Sequence, residues 1–201
     1  MIKLGAKDLR TTAPSEKDIK KIKKNPIYII VDNVLDTYNV GGIFRLADAV
    51  SAKKVYLCGE TETPPHTRIK KASINTTEWV TWSYASTAVE ALQELKVEIG
   101  KLKNKKENSQ FSLRPRSGRA ILNSQLQIIA IEQNSKSVPY DQIDYKFPTA
   151  FVVGHETTGV SKEVLASADY IAEIPMWGIN KSLNVIVSLS IVVYKAIASL
   201  P

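Results

Sequence analysis

A single cysteine, Cys58, in 201 residues rules out an internal disulfide framework. It closes the apolar run K-V-Y-L-C, which favours a buried, inert thiol over a nucleophile. Histidine occurs only twice, so histidine and cysteine alone cannot build a zinc site, and no metal is expected. The N-terminal stretch lacks the apolar core of a signal peptide. The one strongly apolar helical stretch, near the C-terminus, is interrupted by Ser188, Ser190 and Lys195. No membrane association is expected; a soluble, cytoplasmic protein is. Acidic residues are in deficit, 20 against 27 Lys and Arg, leaving a formal charge of +7 and an isoelectric point near 9.3. That excess suits a polyanionic partner, most simply nucleic acid, as well as it suits a merely soluble basic protein.

Two nucleotide-binding signatures are missing as well. No G-x-G-x-x-G follows a strand, which argues against a dinucleotide fold. The run from Gly154 to Ser161, G-H-E-T-T-G-V-S, has the glycine spacing of a phosphate-binding loop, but Val160 stands where the lysine must be and Lys162 comes two residues late. That reading is rejected.

What is present is an alternation of buried strands and amphipathic helices in a chain of one-domain length. Hydrophobic residues make up an ordinary 44%. Residues 1–25 form a lysine-rich N-terminal segment, either a solvated helix with Ile19 and Ile22 inward or a ledge touching phosphates. Residues 27–32, I-Y-I-I-V-D, predict a strand buried on both faces. The loop 33–39 follows, then a helix over 40–52 with Ile43, Leu46, Ala47 and Val50 on its inner stripe and Arg45 off it. Further strands are predicted at 54–59, 80–84, 128–132, 150–153 and 171–174, and a helix at 87–102. Residues 101–125 are basic and poor in apolar side chains, which predicts a flexible surface insertion within the domain spanning 26–201. Strands separated by helices indicate an α/β fold with a mostly parallel sheet and helices on both faces.

The chemistry concentrates in residues 154–194. A glycine-rich turn leaves the strand ending at Val153, a position where backbone N–H groups meet ligands. The strand at 171–174 then runs into Pro175 and Gly178, and an apolar helix begins near Ser182, which is placed to cap it. Apolar residues cover almost its whole circumference, so the helix must be buried.

Three segments, taken in order, resemble the motifs of the SpoU-type RNA ribose 2′-O-methyltransferases of the SPOUT superfamily: N-V-G-G-I-F-R at 39–45, V-V-G-H-E-T-T-G-V-S at 152–161, and I-P-M-W-G-I-N-K-S-L-N-V at 174–185. The resemblance implies a C-terminal deep trefoil knot, an exception to the rule that chains avoid knots. It implies S-adenosylmethionine bound mainly through backbone groups, with Gly154, Ile174 and Leu183 as principal contacts and Met176 and Gly178 nearby. It implies a homodimer through the C-terminal helix and an RNA substrate, tRNA slightly favoured over rRNA. By the same carry-over, Arg45, Asn39, Glu156, Ser182 and Asn184 form the catalytic cluster. A guanidinium is a poor base, so Arg45 is expected to clamp a phosphate and stabilise developing alkoxide charge, with Glu156 holding Arg45 or its neighbours. The rival of a different class is a catalytically idle RNA-binding or assembly factor; base methylation is disfavoured because the I-P-M…S-L-N pattern is the ribose type.

Overall fold

The computed structural model describes residues 4–12, 14–107 and 125–200. Its centre is a seven-stranded sheet whose paired strands all run parallel. In chain order the strands are β1 (Asn25–Asp32), β2 (Ala52–Cys58), β3 (Trp82–Ala85), β4 (Gln127–Ile131), β5 (Val138–Pro139), β6 (Thr149–Gly154) and β7 (Tyr170–Glu173). Their spatial order is β3-β2-β1-β6-β4-β7-β5. The chain grows outward from β1 in one direction and then builds the other half beyond it, so the order switches between β1 and β6. In open parallel sheets the carboxyl edge beside such a switch is where ligands dock.

The strands are buried on both faces, which is why they read as unbroken apolar runs. Successive side chains of β1 point to opposite sides: Ile27, Ile29 and Val31 enter one core and Tyr28 and Ile30 the other. The first core is covered by α3 (Thr37–Ala49), α4 (Thr67–Ser73) and α7 (Val185–Ile197), the second by α5 (Ala88–Glu107) and α6 (Lys162–Ser167). The α/β expectation holds, with helices on both faces. The N-terminal segment forms α1 (Ala6–Thr11) and α2 (Glu16–Lys20). Leu9 and Ile19 pack against the first core, and Leu9 O accepts a bond from Asn75 Nδ2 at 2.9 Å.

Several boundaries differ from the sequence expectation. α3 begins at Thr37, inside the predicted loop, because the Asp36 carboxylate caps it by accepting from Tyr38 N–H at 2.8 Å. Asn39 is thereby a helical residue. α7 starts at Val185 and is capped by Asn184, whose Oδ1 accepts from Ile186 N–H at 3.0 Å; Ser182 lies outside the helix and is not the cap. β1 begins at Asn25, two residues before the predicted strand, and takes in Pro26. α5 runs on to Glu107, so residues 101–107 of the predicted insertion are helical. The rest of that insertion, 108–124, lies outside the described residues. The α4 helix, β5 and two short 3₁₀ turns were not predicted.

One close approach matters for the site. A methyl on Gly41 would sit 2.5 Å from Ala72 Cβ and 2.9 Å from Ile69 O, so only glycine lets α4 press onto α3 there. One residue on, Gly42 faces Ile186 of α7. The G-G pair therefore seats α3 between α4 and the start of α7, which brings Asn39 to Asn184.

Candidate active site

The site lies at the carboxyl ends of β4, β6 and β7, beside the switch in strand order. There a cavity of about 490 Å³ is walled by Ile131, Val153 and Gly154 on one side and Ile174, Met176 and Leu183 on the other. That volume suits a small-molecule ligand. The carboxylate-bearing residues Glu132, Glu156 and Glu173 also line it.

The loop leaving β6 is held by side chains from neighbouring strands. Asp32, 2% exposed at the end of β1, accepts from Ser161 N–H at 2.9 Å. Glu132, just past β4, accepts from Val160 N–H at 3.0 Å and Gln133 N–H at 2.8 Å. Within the loop, His155 and Gly159 exchange backbone bonds of 3.1 and 2.9 Å. A side chain on Gly154 would overlap the Gly159 backbone, so the turn closes only around glycine.

From this turn Glu156 reaches across to α3. Its Oε1 accepts from Asn39 Nδ2 and Asp36 N–H, both at 3.0 Å, and its Oε2 from Leu35 N–H at 3.1 Å. Desolvation works to raise the Glu156 carboxyl, but the bonds from Asn39 and the loop amides outweigh it and hold the group below the ordinary carboxylate range. Asn39 is 5% exposed and uses its other end too: Oδ1 accepts from Asn184 Nδ2 at 2.9 Å. Asn184, as noted, caps α7. Three motifs, the first more than a hundred residues ahead of the other two, thus meet in one chain of bonds, Glu156–Asn39–Asn184. A charged acceptor fixes the first amide, and that amide fixes the orientation of the second.

The other predicted residues divide. Gly154, Ile174, Met176 and Leu183 line the cavity, as do Glu156, Ser182 and Asn184. Ser182 N–H donates to Asn180 Oδ1 at 3.2 Å, which turns the chain just before α7. Gly178 is not among the residues that line the cavity and has open space where a side chain would be. Arg45 is exposed on α3, six residues past Asn39 and one turn beyond Gly41. Among the described residues no hydrogen bond or ion pair holds it, and Glu156 contacts Asn39 instead of it. Sequence reading missed Glu132 and His155. The first carried a usable signal, an acidic residue at the carboxyl end of a buried strand; the second did not.

A parallel α/β sheet with a cavity at its carboxyl edge, and beside it an amide–carboxylate relay that passes through the buried Asn39, has the layout of a small-ligand site. The sequence model of the SpoU rRNA Methylase family matches residues 26–122 and 114–194. The chain belongs to that family and is a methyltransferase, as the three motifs implied. It is 29% identical over 186 residues to a tRNA (guanosine(18)-2′-O)-methyltransferase of Aquifex aeolicus (strain VF5), covering 90% of this chain and 72% of the relative. Among solved structures, the A. aeolicus TrmH/SpoU tRNA modifying enzyme aligns with a TM-score of 0.66 at 27% identity, over 95% of this chain and 80% of that one. An AdoMet-bound rRNA methyltransferase from Sinorhizobium meliloti gives a TM-score of 0.66 at 25% identity, over 91% of this chain and 60% of that one.

Proposed function

We propose that this methyltransferase transfers a methyl group from S-adenosylmethionine to a ribose 2′-hydroxyl of structured RNA, tRNA favoured over rRNA. The observation that carries the reading is the convergence of the Glu156–Asn39–Asn184 chain on the cavity walled by Gly154, Ile174, Met176 and Leu183. The A. aeolicus relative is named for 2′-O-methylation of a tRNA guanosine, and the S. meliloti structure holds AdoMet. The cavity fits the cofactor on chemistry as well: Glu132, Glu156 and Glu173 line it and suit a ligand bearing sulfonium and ammonium charges, while the loop backbones offer donors and acceptors for its uncharged parts.

S-adenosylmethionine supplies an electrophilic methyl group on its sulfonium. Gly154, Ile174 and Leu183 hold it by main-chain atoms, with Met176 packed beside them. Asn184, its amide fixed by Asn39, and Ser182 present hydrogen-bonding groups to the ribose at the cavity rim. Arg45, with no hydrogen bond or ion pair among the described residues, clamps an RNA phosphate and stabilises the negative charge that develops on the 2′-oxygen as it takes the methyl group and its proton leaves to solvent. Glu156 acts through Asn39 rather than by holding Arg45. An idle RNA-binding protein would have no need of a hydrogen-bonded relay, centred on the buried Asn39, at a ligand cavity, and that favours the enzyme.

Two further parts of the reading concern assembly. A stripe on α7, Val187, Ile191 and Tyr194, is exposed or half-buried although apolar. It supports a homodimer through this helix, with an interface on the order of 2,000 Å². A deep trefoil knot in the C-terminal part belongs to the same reading, on the resemblance of the three motifs; there the chain crosses from β6 past β4 to β7, and α7 returns to pack on β6 and α3. The basic segments 1–25 and 101–125 are assigned to RNA phosphates outside the chemistry.

The test is direct. Supply the protein with methyl-labelled S-adenosylmethionine and total RNA, digest to nucleosides and identify the labelled product. The reading requires a 2′-O-methylnucleoside. Label on a base, or none, refutes it.

A further inference from the structure

The G-H-E-T-T-G turn contains a group with no assigned role. His155 is half-buried and lines the cavity, and its Nδ1 accepts from Thr157 N–H at 2.9 Å and Thr158 N–H at 3.3 Å. An imidazole nitrogen that accepts must be unprotonated, so the neutral ring carries its proton on Nε2. Two backbone donors closed by a side-chain acceptor two and three residues before them make the same arrangement that an asparagine or serine makes at a turn or helix start. Here a histidine makes it.

The consequence reaches the relay. Between the His155 backbone bridge to Gly159 and the Nδ1 bonds to residues 157 and 158, Glu156 is enclosed on both sides by fixed peptides. Its carboxylate is then aimed at Asn39, Asp36 and Leu35. Without the Nδ1 acceptor the Thr157 and Thr158 amides lose their partner within the loop. The peptide run from 156 to 158 can then rotate, and the wall formed by Gly154, His155 and Thr157 moves with it.

We infer that His155 is a positioning residue of this site, acting through Nδ1 as a staple that fixes the cofactor-facing turn and aims Glu156. The inference rests on the reading of the cavity as the S-adenosylmethionine site. It makes a distinctive chemical claim: only the acceptor at the δ position matters. Asparagine places Oδ1 at the same number of bonds from the backbone as Nδ1 and satisfies the same two amides. Phenylalanine keeps the ring and loses the acceptor. Glutamine keeps an acceptor one carbon too far out.

The experiment measures S-adenosylmethionine affinity by calorimetry, and KM and kcat for methyl transfer, in wild type, His155→Asn, His155→Ala, His155→Phe and His155→Gln. Expected are affinity within about threefold of wild type for His155→Asn, and a loss on the order of tenfold for the other three, seen in KM for the cofactor more than in kcat. Wild-type affinity in His155→Phe overturns the inference in favour of ring packing, and wild-type affinity in His155→Ala overturns it outright. Separately, nitrogen NMR of labelled imidazoles in mildly alkaline buffer must show His155 protonated on Nε2, assigned by its loss in His155→Asn. A proton on Nδ1 contradicts the staple. Should the wild-type protein bind no S-adenosylmethionine, the cofactor reading falls by itself. The tautomer and the exchange rates of the Thr157 and Thr158 amides still decide the staple.

Discussion

The two loops that wall the cavity are built on opposite plans. The turn at 154–161 is pinned from outside by Asp32 and Glu132 and from inside by His155, and at Gly154 its backbone packs too closely on Gly159 to admit a side chain. Between Ile174, which packs on the first core, and Asn184, which is fixed by Asn39, the loop 175–183 is held among the described residues by little beyond the bond of Gln133 Nε2 to Lys181 O and the turn at Asn180. It carries Trp177 at 92% and Ile179 at 103% exposure into solvent. A wall that must present fixed backbone groups is over-determined by its neighbours. A wall with large side chains in water is left for something outside the chain to order. Fixed geometry is what lets donors act without reorganising, and loose geometry is what lets a site close.

The sharpest way to break this contrast is to add the same methyl to each loop. Gly154→Ala forces backbone against the Gly159 backbone and should cost about 3 kcal/mol or more, removing measurable cofactor binding. Gly178→Ala meets nothing and should stay within about 0.5 kcal/mol of wild type in stability, with unchanged affinity. Calorimetry with S-adenosylmethionine and thermal melting decide both. Equal effects from the two would mean that the loops do not differ as described.

Arg45→Ala is next in size. Methyl transfer should fall by about a hundredfold or more while cofactor affinity stays within a few-fold, because Arg45 is not among the residues that line the cavity. Arg45→Lys should also fail, since an ammonium cannot reproduce the planar fork. Near-normal turnover in the alanine variant would return Arg45 to an ordinary surface residue.

Much of this was legible in the sequence, and the misses have physical causes. The strands could be read because a sheet buried on both faces turns each into an apolar run, as in I-Y-I-I-V and A-F-V-V. The start of α3 was misplaced because Asp36 and Thr37 also suit a loop, and only the observed bond to Tyr38 N–H decides the cap. α4 is a short helix following Pro64-Pro65 and has too few turns to show periodicity. Motif resemblance brought Asn39, Glu156 and Asn184 together, but no local pattern says that Glu156 bonds Asn39 rather than Arg45. That choice is made by packing, through the glycine at 41 that seats α3.

The relay itself offers a smaller test with a definite sign. Because the folded protein depresses the Glu156 carboxyl, its contribution is present above the ordinary value of 4.5 and is lost as pH falls through the lower folded value. The stability difference between wild type and Glu156→Gln should therefore be constant around neutrality and vanish in acid. A difference that grows on acidification would contradict the relay. The smallest effect belongs to the far side of the sheet. Burial first, then the charges of Asp32, Glu90 and Glu94, push the Cys58 thiol up to about 12. It should therefore resist thiol reagents in the native protein, and Cys58→Ser should leave methyl transfer unchanged.

The contrast between the loops is tested most directly by amide hydrogen exchange with and without S-adenosylmethionine. In the free protein the amides of Thr157, Thr158, Val160 and Ser161 should already be protected, and those across 176–183 should exchange freely, becoming protected only when the cofactor is added. Fast exchange at 157–161 in the free protein, or protection of 176–183 that the cofactor does not change, would contradict the account.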